Sequence, residues 1–307
     1  MTMKVLVVAR YKSFGYVPFI KEQVAALEKA GINIRFFPMR NKGIKGYLRE
    51  ISEFRRAIKS FKPDLIHAHY GLCGLFANLQ RNIPVVTTFH GSDINLPSVR
   101  RLSKIAMRLS TFSIFVSQKM IDIAKPTKNF ALVPCGINLE DYPVVEKSQA
   151  RKQMGLKPDG KYVLFAGAFD NTVKNAPLAK AAVALLPEVE LLELKNYSRQ
   201  QVALLMQAAD AFIMTSHTEG SPQTIKETLA CGTPIVSIDV GDVRERIKGV
   251  DGCYLAERDK EELSVALKKA IAYGKRTQGR TALINGMLTN DAIALRLADI
   301  YDQYCLK

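Results

Sequence analysis

Thr215-Ser-His-Thr-Glu219-Gly-Ser-Pro-Gln-Thr-Ile-Lys-Glu227 decides how this chain is read. The apolar run 211–215 enters it as a β-strand, and a helix leaves it and stops at Gly232. Ser221 is expected as the N-cap of that helix and Pro222 as its first residue. A strand, a loop and a helix in this order, at the carboxyl end of a parallel sheet, aim backbone amides and the positive helix end at one spot. An anion such as a diphosphate is stabilised there. Glu219 before the helix and Glu227 inside it add two carboxylates, each able to accept several hydroxyl hydrogen bonds, which suits sugars and ribose. Residues alone leave a plainer alternative open: an ordinary helix start, with Glu219 in solvent and Glu227 a surface partner of Lys226 or Arg244.

Outward from this segment, short apolar β-rich runs alternate with helical patterns along the whole chain. Residues 5–9, 32–37, 65–68, 85–89 and 113–116 form one series, and 162–166, 189–194, 211–215 and 234–238 a second. That alternation predicts βαβ units around parallel sheets. Helix Pro18–Lys29 shows the pattern, with Ile20, Val24 and Leu27 on one face and Gly31 as a stop. Between the two series, 135–161 is rich in Gly, Pro and charge and reads as a linker, which puts the domains at 1–145 and 146–290. A last amphipathic helix, 291–307, carries Ile293, Leu297, Ile300 and Tyr304 on one stripe and is expected to pack back on the first domain.

Composition narrows the function classes. The 307 residues suffice for two ordinary domains. Five scattered cysteines without a CxxC pair argue against a disulfide framework or a cysteine zinc site and fit a reducing cytoplasm. No signal peptide and no membrane span is read in the sequence. The net charge of +15 is uneven: residues 1–150 hold 23 Lys/Arg against 10 Asp/Glu, or +13, which leaves +2 for the remainder. Such a surface favours a polyanionic neighbour. Lys42, Lys45, Arg49, Arg55, Arg56 and Lys59, with Arg100, Arg101, Lys104 and Arg108, are candidates to face anionic lipid, against the plainer reading of solvated helix faces. Nucleic acid is not expected, because no recognition motif or interleaved exposed aromatic accompanies the charge. His67 and His69 share a strand face, but no third ligand stands at metal spacing, so no metal is expected.

The segment EGSPQTIKETLACGTPIVSIDVGDVRE resembles the E-x7-E motif of the retaining GT-B glycosyltransferases of family GT4, with Glu219 and Glu227 as its two acids. Upstream, Phe165-Ala-Gly-Ala-Phe-Asp-Asn-Thr-Val-Lys174 is similar to the family's strand, glycine loop and phosphate-binding lysine. Pro63-Asp-Leu-Ile-His-Ala-His-Tyr-Gly71 and Thr87-Thr-Phe-His90-Gly-Ser-Asp93 are similar to segments lining its cleft. The resemblance implies two Rossmann-like domains with parallel sheets facing across a cleft, and an enzyme that builds surface polysaccharide or glycolipid; with the cysteines and the basic first domain, it is expected in the cytoplasm, peripheral on the inner face of a membrane.

It also implies roles. Lys174 and the amides near Gly220, Ser221, Pro222 and Gln223 would hold the diphosphate of a nucleotide-sugar donor, Gly167 would sit in the donor loop, and Glu227 would hold the ribose. Glu219 would orient the sugar, His90 would face the donor sugar or the acceptor, and Gly15 and Asp93 would lie on the acceptor side. The acceptor would be a saccharide or lipid-linked saccharide, transfer would retain configuration, and neither metal nor cofactor would take part. The chain departs from the family twice: Ala168, Phe169 and Asp170 stand where an arginine usually accompanies the lysine, and the first βα loop has Gly15 as its only glycine. Two other classes stay in view, a non-catalytic basic protein that binds nucleic acid or membrane, and a sugar-nucleotide epimerase on the same fold.

Overall fold

The structure, a computed structural model, describes residues 2–13, 15–41 and 43–305; Lys42, named above among the basic residues, lies outside them. The chain divides into two compact units, Met1–Gly136 with Asn290–Lys307, and Ile137–Thr289.

Unit 1 alternates strand and helix in the order β1 (Lys4–Arg10), α1 (Pro18–Lys29), β2 (Asn33–Met39), α2 (Gly43–Phe61), β3 (Leu65–His69), α3 (Gly71–Ala77) and β4 (Val85–Phe89). It continues through α4 (Ser92–Asn95), α5 (Pro97–Leu109), β5 (Phe112–Phe115), α6 (Gln118–Ala124) and β6 (Phe130–Leu132). Its strands pair in parallel in the order β2-β1-β3-β4-β5-β6. Burial explains the sequence of the central strands: β3 and β4 are buried at every position, as a parallel strand covered by helices on both faces requires.

Unit 2 repeats the plan with α7 (Lys147–Gln153), β7 (Lys161–Phe165), α8 (Ala176–Val183), β8 (Val189–Leu192), α9 (Arg199–Ala208) and β9 (Ala211–Met214). Then follow α10 (Gln223–Cys231), β10 (Ile235–Ser237), α11 (Val243–Ile247), β11 (Tyr254–Leu255), α12 (Lys260–Tyr273) and α13 (Gly279–Asn285). The strand order is β11-β10-β9-β7-β8, again parallel. The last helix, α14 (Asn290–Cys305), returns to unit 1, where Ile293, Leu297, Ile300 and Tyr301 share one core with Ile20, Val24 and Leu27 of α1. Segment 137–145, read from the sequence as part of the first domain, belongs to unit 2, where Tyr142 is buried in the core.

Each sheet reverses its winding beside its first strand. β1 has β2 on one side and β3 on the other; β7 has β8 on one side and β9 on the other. Loops leaving the carboxyl ends of such a strand pair diverge and leave a crevice, the place where open α/β sheets bind ligands. The sequence motifs fall at the carboxyl ends of the two sheets, on the loops after β3 and β4 in unit 1 and after β7 and β9 in unit 2.

One local expectation needs correction. Pro222 is the N-cap of α10, at φ −65° and ψ 120°, and Gln223 is its first residue, so Ser221 is outside the helix and Pro222 is not at N1. The Ser221 hydroxyl donates to Asp242 Oδ2 at 2.7 Å, and α10 has no side-chain cap hydrogen bond. The predicted stop holds, with Gly232 at φ +70°.

Candidate functional site

In unit 2 the crevice between β7 and β9 is walled by two loops that are sewn together. The loop after β7 makes a single 3-10 turn, Thr172–Lys174, whose N-cap Asn171 accepts from the Val173 amide at 3.1 Å. The loop after β9 grips it: the Thr215 hydroxyl reaches the carbonyls of Lys174 and Asn175 at 3.0 and 2.9 Å, and the His217 amide donates to Val173 O at 2.9 Å. Residues about forty positions apart are thereby fixed against each other.

Lys174 Nζ then meets Glu219 Oε1 at 2.7 Å, with side chains only 18% and 17% exposed. Gly167 makes room for the lysine stem, since a Cβ there would stand 3.2 Å from Lys174 Cγ. An ion pair this far from solvent costs desolvation, which its short contact offsets in part. Asp170, in the stretch 168–170 that departs from the expected arginine, pairs outward with Lys195 at 2.6 Å.

Behind the pair, Gly220 lies against the loop after β10. Gly241 has φ +58°, and a Cβ on it would come within 2.5 Å of Gly220 O. Asp242 accepts from Ser221 and forms an ion pair with Arg246, whose Nε stands 3.2 Å from Oδ2; burial raises its pKa, opposed by the charges of Lys226 and Arg246. Lys226 is fully buried and donates to Gln223 Oε1 at 2.7 Å, while Arg244 pairs with Asp239 at 2.8 Å. Glu227 hydrogen bonds the buried Tyr142 hydroxyl, whose pKa rises through burial first and the Glu227 charge second; Arg199 opposes the rise.

Three participants carried no local signal in the sequence. Arg258 holds the carbonyls of Ser216 and His217 at 2.8 and 2.9 Å and so fixes the loop before Glu219. Tyr142 and Arg199 frame Glu227 from segments far along the chain, with Arg199 Nη2 3.4 Å from the phenol oxygen. The Lys174 and Glu219 encounter depends on β7 and β9 being neighbours and on the Thr215 and His217 contacts that tie their two loops.

Unit 1 gathers the remaining candidates at the carboxyl ends of β1, β3 and β4. Gly15, at φ +92°, closes a reciprocal backbone pair with Lys12 at 3.0 and 2.9 Å, a turn that favours glycine. Asp93 is buried and accepts from the amides of Gly91, His90 and Gly71 at 2.9, 3.0 and 3.1 Å; burial pushes its acid up to about 6 against those amides. His90 Nε2 is 3.0 Å from His69 Nδ1, and Cys135 Sγ lies 3.7 Å from His90 Nδ1. His67, also buried, contacts Tyr301 and Thr88 at 2.6 and 2.7 Å, and burial lowers its pKa to about 3. Among the described residues no group of three or more His, Cys, Asp or Glu is arranged to hold a metal ion, and no helix is long and apolar enough to cross a membrane.

Comparison with known proteins bears on both halves. A model of Glycosyltransferase Family 4 matches residues 8–141, and one of Glycosyl transferases group 1 matches 156–272. TuaC of Bacillus subtilis, provisionally named a teichuronic acid biosynthesis glycosyltransferase, is 28% identical over 211 residues, 59% of this chain and 54% of TuaC. N-acetyl-alpha-D-glucosaminyl L-malate synthase of Bacillus anthracis is 25% identical over 233 residues, 63% of this chain and 61% of the synthase. The chain thus spans less than two thirds of the length of these two relatives. In fold it is similar to sucrose-phosphate synthase of Thermosynechococcus elongatus, with TM-score 0.83, 17% identity and 98% of each chain covered. HepE of Anabaena, solved in complex with UDP, gives TM-score 0.75 at 17% identity over 98% of this chain and 100% of HepE.

Proposed function

This chain belongs to the group 1, family 4 glycosyltransferases of GT-B fold, and from that premise we propose that it moves a sugar, with retention of configuration, from a nucleotide-diphosphate sugar to a saccharide or lipid-linked acceptor. The carrying observation is the Lys174–Glu219 pair in the crevice between β7 and β9. When a diphosphate enters, Lys174 swings its charge from Glu219 to the departing phosphates, beside the backbone N–H groups of Gly220, Ser221 and Gln223 at the head of α10. Glu219 is thereby released to accept from hydroxyls of the donor sugar. A well-placed donor to developing negative charge is worth about 3–4 kcal/mol in other enzymes. The acceptor hydroxyl attacks the face from which the diphosphate departs, and a phosphate oxygen takes its proton. Glu227, already a partner of Tyr142, accepts from the ribose.

UDP in HepE, and the UDP-glucose complex of the same protein, support uridine diphosphate sugars as the first donors to test. Full-length protein is incubated with UDP-, GDP- and ADP-sugars, an acceptor panel and EDTA, and the product anomer is read by NMR. Retention in the presence of EDTA is expected. Inversion would refute the mechanism, and turnover restored only by magnesium or manganese would refute metal independence.

We also assign α5 to an anionic membrane surface. Leu102, Ile105 and Leu109 are 40%, 44% and 44% exposed along one side of the helix, next to exposed Arg101 and Arg108. Apolar and basic stripes side by side suit a helix lying in a lipid interface. Arg100 is excluded from this surface, because its guanidinium is spent on the carbonyls of Ile94 and Asn95. Sedimentation with phosphatidylglycerol vesicles should exceed that with phosphatidylcholine and fall for I105S; equal pelleting with both would refute it.

A further inference from the structure

The crevice between β1 and β3 contains a cavity of about 400 Å³ lined by residues of unit 1 alone. Its walls are mixed. Val17, Leu96 and Val99 supply apolar surface, Arg10 and Lys12 bring two cations from the end of β1, and Tyr47 and Tyr70 bring two phenols. The Arg10 residue is half-buried, yet its guanidinium makes no hydrogen bond or ion pair with another described residue. The Tyr47 and Tyr70 hydroxyls likewise have no hydrogen-bond partner among the described residues. Asp93 also lines the cavity, but its oxygens are occupied by the three backbone amides named above.

Backbone geometry adds a second observation. Tyr70 has φ +75° and ψ 146°, a conformation that glycine tolerates and tyrosine adopts only under strain. It is held there by its own amide on Thr88 O at 2.8 Å and by Asp93 on the next amide, Gly71, at 3.1 Å. The strained residue is the one that carries a phenol to the cavity wall beside β1.

We propose that this cavity binds the phosphate monoester of the acceptor substrate, with Arg10 as its principal contact. Two cations and two phenolic donors match a group that carries nearly two negative charges and three acceptor oxygens. A guanidinium offers phosphate a planar fork, and the apolar walls take the carbon skeleton that bears it. Calling the occupant an acceptor rests on the glycosyl-transfer reading; the binding itself does not.

The test is calorimetric and uses the full chain without donor. Glucose 6-phosphate represents a free phosphorylated sugar, dihexanoyl phosphatidic acid below its micelle concentration a lipid-borne phosphate, and glucose a neutral control. At least one phosphate probe should bind at least tenfold tighter than glucose, and which of them binds tells free from lipid-borne acceptors. Arg10→Gln should weaken it about tenfold or more, the usual worth of a hydrogen bond to a charged group, and Arg10→Lys should restore part. Binding of neither phosphate, equal affinity for glucose, or indifference to Arg10→Gln would overturn the proposal. A protein that binds phosphate through Arg10 yet consumes no nucleotide sugar would keep this site and sink the transfer reading.

Discussion

Gly241 and Gly249 both sit in the left-handed region, at φ +58° and +73°, yet their surroundings differ. A Cβ on Gly249 meets nothing within 4 Å, whereas one on Gly241 meets Gly220 O at 2.5 Å. Gly249→Ala should therefore cost only the conformational strain, about 1–2 kcal/mol. Gly241→Ala should cost about 1–3 kcal/mol more through a backbone clash that cannot relax cheaply, and should lower turnover by shifting Gly220 beside Glu219. Urea midpoints with turnover for both variants check this; equal costs and unchanged turnover would contradict it. Legibility at this scale was partial. Glu219 and Lys174 were readable only as motif residues, because their 2.7 Å contact depends on β7 and β9 being neighbours. The Ser221–Asp242 hydrogen bond was not readable, since an acceptor 21 positions away leaves no mark on the local pattern.

Strands and helices were the more legible scale, because their signals are periodic and local. Helix Pro18–Lys29 has the bounds its pattern predicts, and α10 stops where Gly232 says it must. Strand neighbours escape such reading, and with them the meeting of β3 and β4 that brings His69 to His90. Burial on β3 has a pH consequence. His67 falls to about 3 from an ordinary 6.5, so it stays neutral in the folded state while the unfolded chain binds a proton. Its contribution is complete above pH 6.5 and is lost as pH falls toward 3, at about 1.4 kcal/mol per pH unit for one proton. Asp93 works the other way: its acid is raised to about 6, so between pH 6 and 3.8 the folded state takes up the extra proton. Hydrogen exchange of β3 and β4 amides, corrected for intrinsic rates, should show a pH slope reduced by about 1.4 kcal/mol per unit in His67→Gln below pH 6.5. An unchanged slope would mean that His67 titrates alike in both states.

Across the whole molecule, the same winding serves two different surfaces. Unit 1 carries the excess of positive charge, a cavity between β1 and β3 and the exposed face of α5; unit 2 carries the nearly neutral Lys174–Glu219 crevice. The repeat of the βα plan was legible from two series of apolar runs, whereas the return of α14 to unit 1 rests on a core that only three dimensions assemble. Division of labour between an acceptor-side unit and a donor-side unit is what the account claims, and Lys174 is its sharpest point. Single-turnover rates at saturating donor, for wild type, Lys174→Ala and Lys174→Arg with folding verified, test it. The account predicts a loss of about 100-fold or more for alanine, with arginine recovering part because a planar fork replaces a point charge. An alanine variant within about threefold of wild type, under 1 kcal/mol of barrier, would contradict it.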